Sequence, residues 1–232
     1  MSDKIKNYYS KLSDKETNKP KLDKNYKHHY ILPCSMILAL GGTGSGKTNA
    51  LISFLERKTS AFYKIIIYSG STTDEPLYEM LKRQAPDSVD LYTDIKDLPE
   101  LSTFESDKQY EKLIVFDDFI NLNTKEMRKI KEYLVAGRKF NFTVFCMAQN
   151  YKEVPKTITR NINYFIIFRL NDNVSINNII RNHNIDNIDK EEFKNAYVRA
   201  TDQPMNFFLL DLKNPDKQLR YRQNFLNLIQ LQ

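Results

Sequence analysis

Residues 41–48 read GGTGSGKT and match the pattern G-x-x-x-x-G-K-[ST] at every fixed position. An apolar run, SMILAL at residues 35–40, comes directly before this segment, and a helix-like run follows from Lys47 to Arg57. The strand, loop and helix that the pattern requires are therefore present in the right order. This order favours an α/β fold in which a phosphate-binding loop joins a core strand to a helix.

The residue types of this loop suit a nucleoside triphosphate. Glycines allow the positive-φ backbone that a concave ring of amide donors needs. The start of the following helix adds its positive dipole end, Lys47 adds a mobile charge for the β- and γ-phosphates, and Thr48 is expected to offer its hydroxyl to Mg²⁺. The predicted nucleotide-binding residues are Gly41, Gly42, Thr43, Gly44, Ser45, Gly46, Lys47, Thr48 and Asn49.

Two acidic residues follow a second core strand. The apolar run LIVF at residues 113–116 is typical of a parallel strand covered on both faces, and it leads into Asp117 and Asp118. Carboxylates at the carboxyl end of such a strand face the ligand crevice. We predict that Asp117 binds the metal or a water bound to the metal, and that Asp118 orients and deprotonates the attacking water. The alternative for either acid is an N-cap of the next helix.

A third strand ends in an amide. Residues 141–149, NFTVFCMAQ, form a β-branched and aromatic run that ends at Gln149. Beside the phosphate loop, Gln149 would hydrogen-bond both the terminal phosphate and the lytic water. The alternative is a loop amide that bonds only to the backbone.

Strand and helix patterns alternate along the rest of the chain. They predict strands at residues 64–69 and 89–92 and helices at residues 75–84, 124–136, 174–181 and 189–200. Thr124 is the expected N-cap of its helix, and residues 205–222 read as a terminal hairpin. The alternation implies a mostly parallel central sheet flanked by helices.

Charge is concentrated near the start of the chain. The sequence has 35 basic and 29 acidic residues, a net charge of +6. Residues 1–30 contain eight lysines and four acidic residues with little apolar content. We predict a flexible basic arm at residues 1–30 and one folded domain at residues 31–232. The net charge is compatible with a nucleic-acid partner.

Other sequence features exclude several classes of protein. The two cysteines, Cys34 and Cys146, cannot build a four-ligand zinc site and suit buried thiols in a reducing compartment. The sequence shows no signal-peptide pattern and no run of eighteen apolar residues. We therefore expect a soluble, unsecreted protein without a membrane partner.

Taken together, the three motifs resemble those of the FtsK/HerA class of additional-strand, RecA-like P-loop ATPases. Within that class the chain is similar to the poxvirus-type genome-packaging ATPases of large DNA viruses and related virophages. The matching residues are GGTGSGKT at 41–48, IVFDD at 114–118 and GRKFNFTVFCMAQN at 137–150. Many relatives carry Asp-Glu where this chain has Asp117 and Asp118, so the presumed base is one methylene shorter here.

The resemblance implies a homo-oligomeric ring, pentameric or hexameric, that hydrolyses ATP with Mg²⁺ and moves double-stranded DNA. An arginine of one subunit would reach the nucleotide of the next, and Arg138 is the first choice, with Arg160 and Arg169 as alternatives. Lys47, Asp118, Gln149 and Arg138 are then the expected catalytic residues. A capsid or portal protein would be a further partner, in the viral factory of the host cytoplasm or in the virion.

Two other functions stay open on the sequence. One is a different P-loop enzyme, such as a small-molecule kinase or a GTPase, although the Asn-Lys-x-Asp guanine reader does not occur. The other is a switch module that binds ATP without hydrolysing it, and Asp118 is the residue that separates this function from a motor.

Overall fold

The computed structural model describes residues 7–13, 20–58, 62–70, 75–183, 185 and 189–230. The strands in these ranges are β1 (Met36–Leu40), β2 (Lys64–Ser69), β3 (Val89–Tyr92), β4 (Lys112–Asp117), β5 (Phe142–Ala148), β6 (Tyr164–Ile167), β7 (Phe208–Asp211), β8 (Tyr221–Gln223) and β9 (Asn227–Leu228). The α-helices are α1 (Lys47–Arg57), α2 (Pro76–Gln84), α3 (Glu126–Ala136), α4 (Lys156–Thr159), α5 (Asn173–Asn182) and α6 (Lys190–Ala200). Among the described residues, no helix combines the length and apolar character needed to cross a membrane.

All nine of these strands belong to one sheet, in the order β3-β2-β4-β5-β1-β6-β7-β8-β9. Strands β1 to β6 pair in parallel, and β7, β8 and β9 extend the sheet with antiparallel pairs. Strand β5 lies between β1 and β4, so an additional strand separates the strand before the glycine loop from the strand that ends in the acids. The predicted α/β class, with a mostly parallel sheet and a C-terminal hairpin, is confirmed.

Both faces of the sheet are covered by apolar clusters. Side chains of β5 alternate between them, so that Val144 joins one cluster and Phe145 the other. Every residue of β5 is buried. Because a strand covered on both faces has room for polar groups only at its ends, Asp117 and Gln149 stand where their apolar runs stop.

The start of α3 differs from the prediction. This helix was expected to begin at Thr124, but it begins at Glu126. The side-chain oxygen of Asn123 accepts the amide hydrogens of Lys125 (2.9 Å) and Glu126 (3.0 Å), and the Glu126 carboxylate accepts the amide of Asn123 (3.0 Å). The Thr124 prediction is therefore wrong, because a reciprocal cap on Asn123 satisfies the first turn.

A buried cluster of charged side chains fixes the segment before β1. Nζ of Lys58 lies 3.2 Å from Oδ2 of Asp23 and 2.7 Å from Oε2 of Glu111, and Nε2 of His29 lies 3.6 Å from the same Asp23 oxygen. Asp23, His29 and Lys58 are all buried. The cluster therefore joins the chain before β1 to the end of α1 and the start of β4.

The folded unit consequently begins earlier than the predicted boundary at residue 30. Composition indicated a flexible arm because residues 1–30 are rich in lysine, but residues 20–30 contribute two members of the buried cluster. Residues 1–6 and 14–19 lie outside the described residues, and the flexible arm stays a prediction for them.

The buried position of His29 generates a prediction about pH and stability. Burial lowers the pKa of His29 from 6.5 to about 4, the Lys58 ammonium adds to this shift and Asp23 opposes it. The unfolded chain therefore protonates this imidazole near pH 6.5, whereas the folded chain does so only near pH 4. The free energy of unfolding, measured by urea titration, should fall by up to about 3 kcal/mol as pH drops through this window.

Two substitutions isolate this contribution. His29→Asn keeps an acceptor for the amide of Ile31, which bonds Nδ1 of His29 at 2.9 Å, but Asn does not titrate. The unfolding free energy of this variant should depend less on pH, whereas His28→Asn, at an exposed position, should follow the wild type. A His29→Asn curve as steep as that of the wild type would contradict the prediction.

Candidate functional site

The loop between β1 and α1 takes its shape from its glycines. The φ angle is 73° at Gly44 and 108° at Gly46, a conformation that side-chain-bearing residues adopt only with strain. Gly46 is the N-cap of α1, so the positive end of the helix dipole lies in the loop. At Gly41 a Cβ atom would lie 2.9 Å from Cβ of Phe168. Close packing at Gly41 thus holds the loop against the end of β6.

Lys47 is bonded to the carbonyls of its own loop. Its Nζ donates to the oxygens of Gly41 (2.6 Å) and Gly42 (3.1 Å). Burial lowers the pKa of Lys47, and the carboxylates of Asp117 and Asp118 act in the opposite direction. A phosphate oxygen is a stronger acceptor than a carbonyl oxygen, so this half-buried amine is placed to turn to an anion in the loop.

Asp117 is fixed at the same edge of the sheet. It ends β4 in register with Ser69 of β2 and Met147 of β5. Its Oδ2 accepts a hydrogen bond from the hydroxyl of Tyr78 at 2.8 Å. Burial raises the pKa of Asp117, and the bond from Tyr78 and the charge of Lys47 counteract that rise.

Asp118 sits on a tight turn with a φ angle of 51°. Asp is one of the few residue types besides glycine that tolerate this left-handed backbone. Gly70, directly after β2, packs against the turn: its amide donates to the carbonyl of Asp117 at 2.9 Å, and a Cβ atom on Gly70 would collide with the carbonyl oxygen of Asp118. Because Gly70 has no side chain, the turn at Asp118 can pack directly against it.

One cavity of about 370 Å³ brings the three predicted motifs together. The predicted residues that line it are Thr43, Gly44, Ser45, Gly46, Lys47, Thr48, Asn49, Asp117, Asp118 and Gln149. Gly41 and Gly42 form the base of the loop without lining this cavity. The acids face the cavity and Asn123 caps α3, so the alternative role of the acids as helix caps is not realised.

A second cavity, of about 760 Å³, lies on the other flank of the loop. Residues Gly42 to Ser45 line it together with Phe168, Arg169, Asp202 and Met205. Arg169, one of the three candidate arginines, therefore lies at the loop's edge of the sheet in its own chain.

Arg138 lies at the opposite edge. It is exposed in the turn before β5, where the carbonyl of Asn141 accepts the amide of Lys112 at the start of β4 (2.9 Å). Arg160 precedes β6, beside the start of β1, because Asn163 donates to the carbonyl of Met36 at 2.8 Å. Neither arginine lines the two cavities of its own chain.

Sequence reasoning missed the contribution of α2. Glu75 and Leu77 line the first cavity, and Tyr78 holds Asp117. The sequence pattern located this helix, but Tyr78 and Asp117 are 39 residues apart and no local motif links them. One sequence signal could have indicated that α2 contributes to the site. This helix follows a predicted parallel strand, and the carboxyl end of that strand lies at the same sheet edge as the acids.

A mostly parallel sheet with a strand inserted between β1 and β4, and a glycine loop facing paired acids, define an additional-strand P-loop NTPase. The chain belongs to the family described as Poxvirus A32 protein, which matches residues 23–201. The family predicted from the sequence, the poxvirus-type packaging ATPases, is therefore confirmed.

Solved structures share the fold at low sequence identity. The DNA-packaging ATPase B204 of Sulfolobus turreted icosahedral virus is 15% identical, with a TM-score of 0.54 over 78% of this chain and 93% of that chain. B204 of Sulfolobus turreted icosahedral virus 2, in complex with ATP-gammaS, is 13% identical, with a TM-score of 0.55 over 82% and 96%. The pCW3 conjugation coupling protein TcpA is 12% identical, with a TM-score of 0.52 over 84% and 61%. No curated protein matches the chain.

The packing of Gly70 generates a prediction about stability. Gly70→Ala should lower the free energy of unfolding by about 1–3 kcal/mol, because the added methyl must displace the backbone at Asp118. Gly42→Ala is the matched control, since a Cβ atom there meets nothing within 4 Å. Urea unfolding without nucleotide measures both variants, and equal stability of the two would contradict the close contact at Gly70.

Proposed function

We propose that this protein hydrolyses ATP to move double-stranded DNA into a viral capsid, as one subunit of a homo-oligomeric ring. The observation that carries the proposal is the cavity in which the glycine loop meets Asp117, Asp118 and Gln149. Two B204 proteins share the fold: one is a DNA-packaging ATPase, and the other, a genome packaging NTPase, was solved with ATP-gammaS. A motor of this kind works where capsids are filled, so we expect it in the viral factory of the host cytoplasm or with the virion.

The loop is built for an anion such as the triphosphate of ATP. The buried Oγ of Ser45 has no hydrogen-bond partner among the residues that the structure describes. Buried hydroxyls normally have a partner, so this atom supports a ligand in the loop. Lys47 would bind the β- and γ-phosphates there, and the amides and dipole at the start of α1 would add to the attraction.

Thr48 and Asp117 are the residues that would hold Mg²⁺. Both line the cavity, and hydroxyl and carboxylate oxygens are ligands that Mg²⁺ prefers. The described residues contain no cluster of three or more His, Cys, Asp or Glu that could hold a metal alone, which fits an ion that takes its other ligands from phosphates and water. When bound, the ion would neutralise charge on the phosphates.

Asp118 and Gln149 would act on the attacking water. Both line the cavity beside the loop. The carboxylate of Asp118 would accept a proton from the water as it attacks the terminal phosphate. The amide of Gln149 would donate to a phosphate oxygen and accept from the water, so that its bonding changes after hydrolysis.

A neighbouring subunit of the proposed ring would contribute an arginine to the cavity. Arg138 lies at the sheet edge opposite the cavity, so it can reach a nucleotide only in another subunit. A guanidinium that arrives from a neighbour would stabilise the charge of the transition state. A pentamer or hexamer that encloses DNA would give every cavity such a neighbour, and a capsid or portal protein is a further expected partner.

An ATPase assay with and without duplex DNA tests the proposed function. Turnover should require Mg²⁺ and rise with duplex, and the stimulation should fade with added salt because phosphate contacts are ionic. Lys47→Ala should lose nucleotide binding or hydrolysis. Asp118→Asn, which tolerates the same backbone, should bind ATP and hydrolyse it about 100-fold or more slowly. Rates unaffected by duplex would favour a kinase, a GTPase or a non-hydrolysing switch.

Subunit mixing tests the role of Arg138. Arg138→Ala alone should hydrolyse ATP about 10³-fold more slowly. Mixing it with Lys47→Ala should restore part of the rate, because some mixed interfaces combine an intact Lys47 with an intact Arg138. Arg160→Ala removes the alternative arginine, which is exposed at the same sheet edge, and this variant should stay active. Absence of rescue in every mixture would argue against a shared site.

A further inference from the structure

Tyr78 places a buried hydroxyl against a predicted metal ligand. The residue is 3% exposed, and its hydroxyl donates to Oδ2 of Asp117 at 2.8 Å. The sulfur of Met147 lies 3.7 Å from the same hydroxyl. The phenol is the donor of the bond to Asp117, because a carboxylate oxygen only accepts.

Local sequence features define where helix α2 begins and therefore where Tyr78 lies. Pro76 occupies the first turn of α2, and the Glu75 side chain caps this turn by accepting the amide of Leu77 at 3.3 Å. Both features set the start of the helix to one residue. The bond from Tyr78 to Asp117 places the first turn of α2 beside the end of β4.

The first turn of α2 contacts both the cavity and the apolar cluster beneath it. Glu75 and Leu77 line the cavity, while Tyr78 joins the apolar cluster beneath it and reaches Asp117 from there. One carboxylate oxygen of Asp117 is therefore bonded to a rigid aromatic side chain, while Asp117 itself still lines the cavity.

We propose that Tyr78 is a positioning residue that orients Asp117 for Mg²⁺. The proposal rests on the proposed function, because it assumes that a magnesium nucleotide enters the cavity. Mg²⁺ demands near-ideal octahedral geometry, so a ligand held in one orientation binds it better than a ligand free to rotate. Groups that hydrogen-bond metal ligands commonly tune the affinity in this way.

The alternative is that Tyr78 only fills space. Tyr78→Phe separates the two roles, since it keeps the ring in the apolar cluster and removes the bond to Asp117. Tyr133→Phe is the matched control: Tyr133 is 1% exposed, and its hydroxyl donates to the carbonyl of Pro99 at 2.8 Å, outside both cavities.

The measurement is binding of ATPγS to the full-length protein by calorimetry, first in EDTA and then across a Mg²⁺ titration. Tyr78→Phe should bind metal-free ATPγS like the wild type, and its half-saturating Mg²⁺ concentration should rise about 10-fold or more. Tyr133→Phe should match the wild type in both measurements. An unchanged half-saturation in Tyr78→Phe would overturn the proposal.

A double-mutant comparison makes the test specific to Asp117. In an Asp117→Ala background the acceptor of the Tyr78 hydrogen bond is already absent, so adding Tyr78→Phe should change the half-saturation by less than about 2-fold. An effect as large as in the wild-type background would assign Tyr78 to packing and overturn the proposal. A wild-type protein that binds ATPγS with no response to Mg²⁺ would instead overturn the proposed metal site itself.

Discussion

Parallel pairing of β4, β5 and β1 is the constraint on which the rest of the structure depends. Leu40 pairs with Ala148 and Asp117 with Met147, so three strands end at one level. The residue that follows each apolar run therefore lies at the same edge of the sheet, although the runs are far apart in the sequence. Since the apolar clusters leave polar groups only the strand ends, this register assembles the site.

Two buried polar groups at opposite edges of the sheet differ in their bonding. At the amino edge, Nζ of the fully buried Lys112 donates to the carbonyls of Asp107 (2.7 Å), Tyr110 (2.7 Å) and Phe140 (2.9 Å). At the carboxyl edge the hydroxyl of Ser45 has no partner among the described residues. A buried ammonium whose bonds are made within the chain stabilises the fold, whereas a buried hydroxyl without such a bond in the glycine loop suits a ligand.

The sequence predicted those parts of the molecule that depend on local pattern. Continuous apolar runs located the core strands, and fixed spacing located the loop from Gly41 to Thr48. Contacts between distant segments were not predictable: the bond between Tyr78 and Asp117 depends on how α2 crosses the sheet. The buried Asp23 was assigned to an arm because its partner Lys58 lies beyond the glycine loop. Thr124 was predicted as the cap because threonine suits that position, but the structure uses Asn123, one residue earlier, which suits it as well.

The turn at Asp118 limits which acids can stand there. Its φ angle of 51° suits Asp and Asn, whose short polar side chains bond locally, and disfavours longer side chains such as Glu. A Glu at residue 118 would therefore favour a different main-chain path, which would also change the contact with Gly70. The short acid, the sharp bend and the missing side chain at residue 70 therefore depend on one another, because a longer acid disfavours the bend and a side chain at residue 70 collides with it.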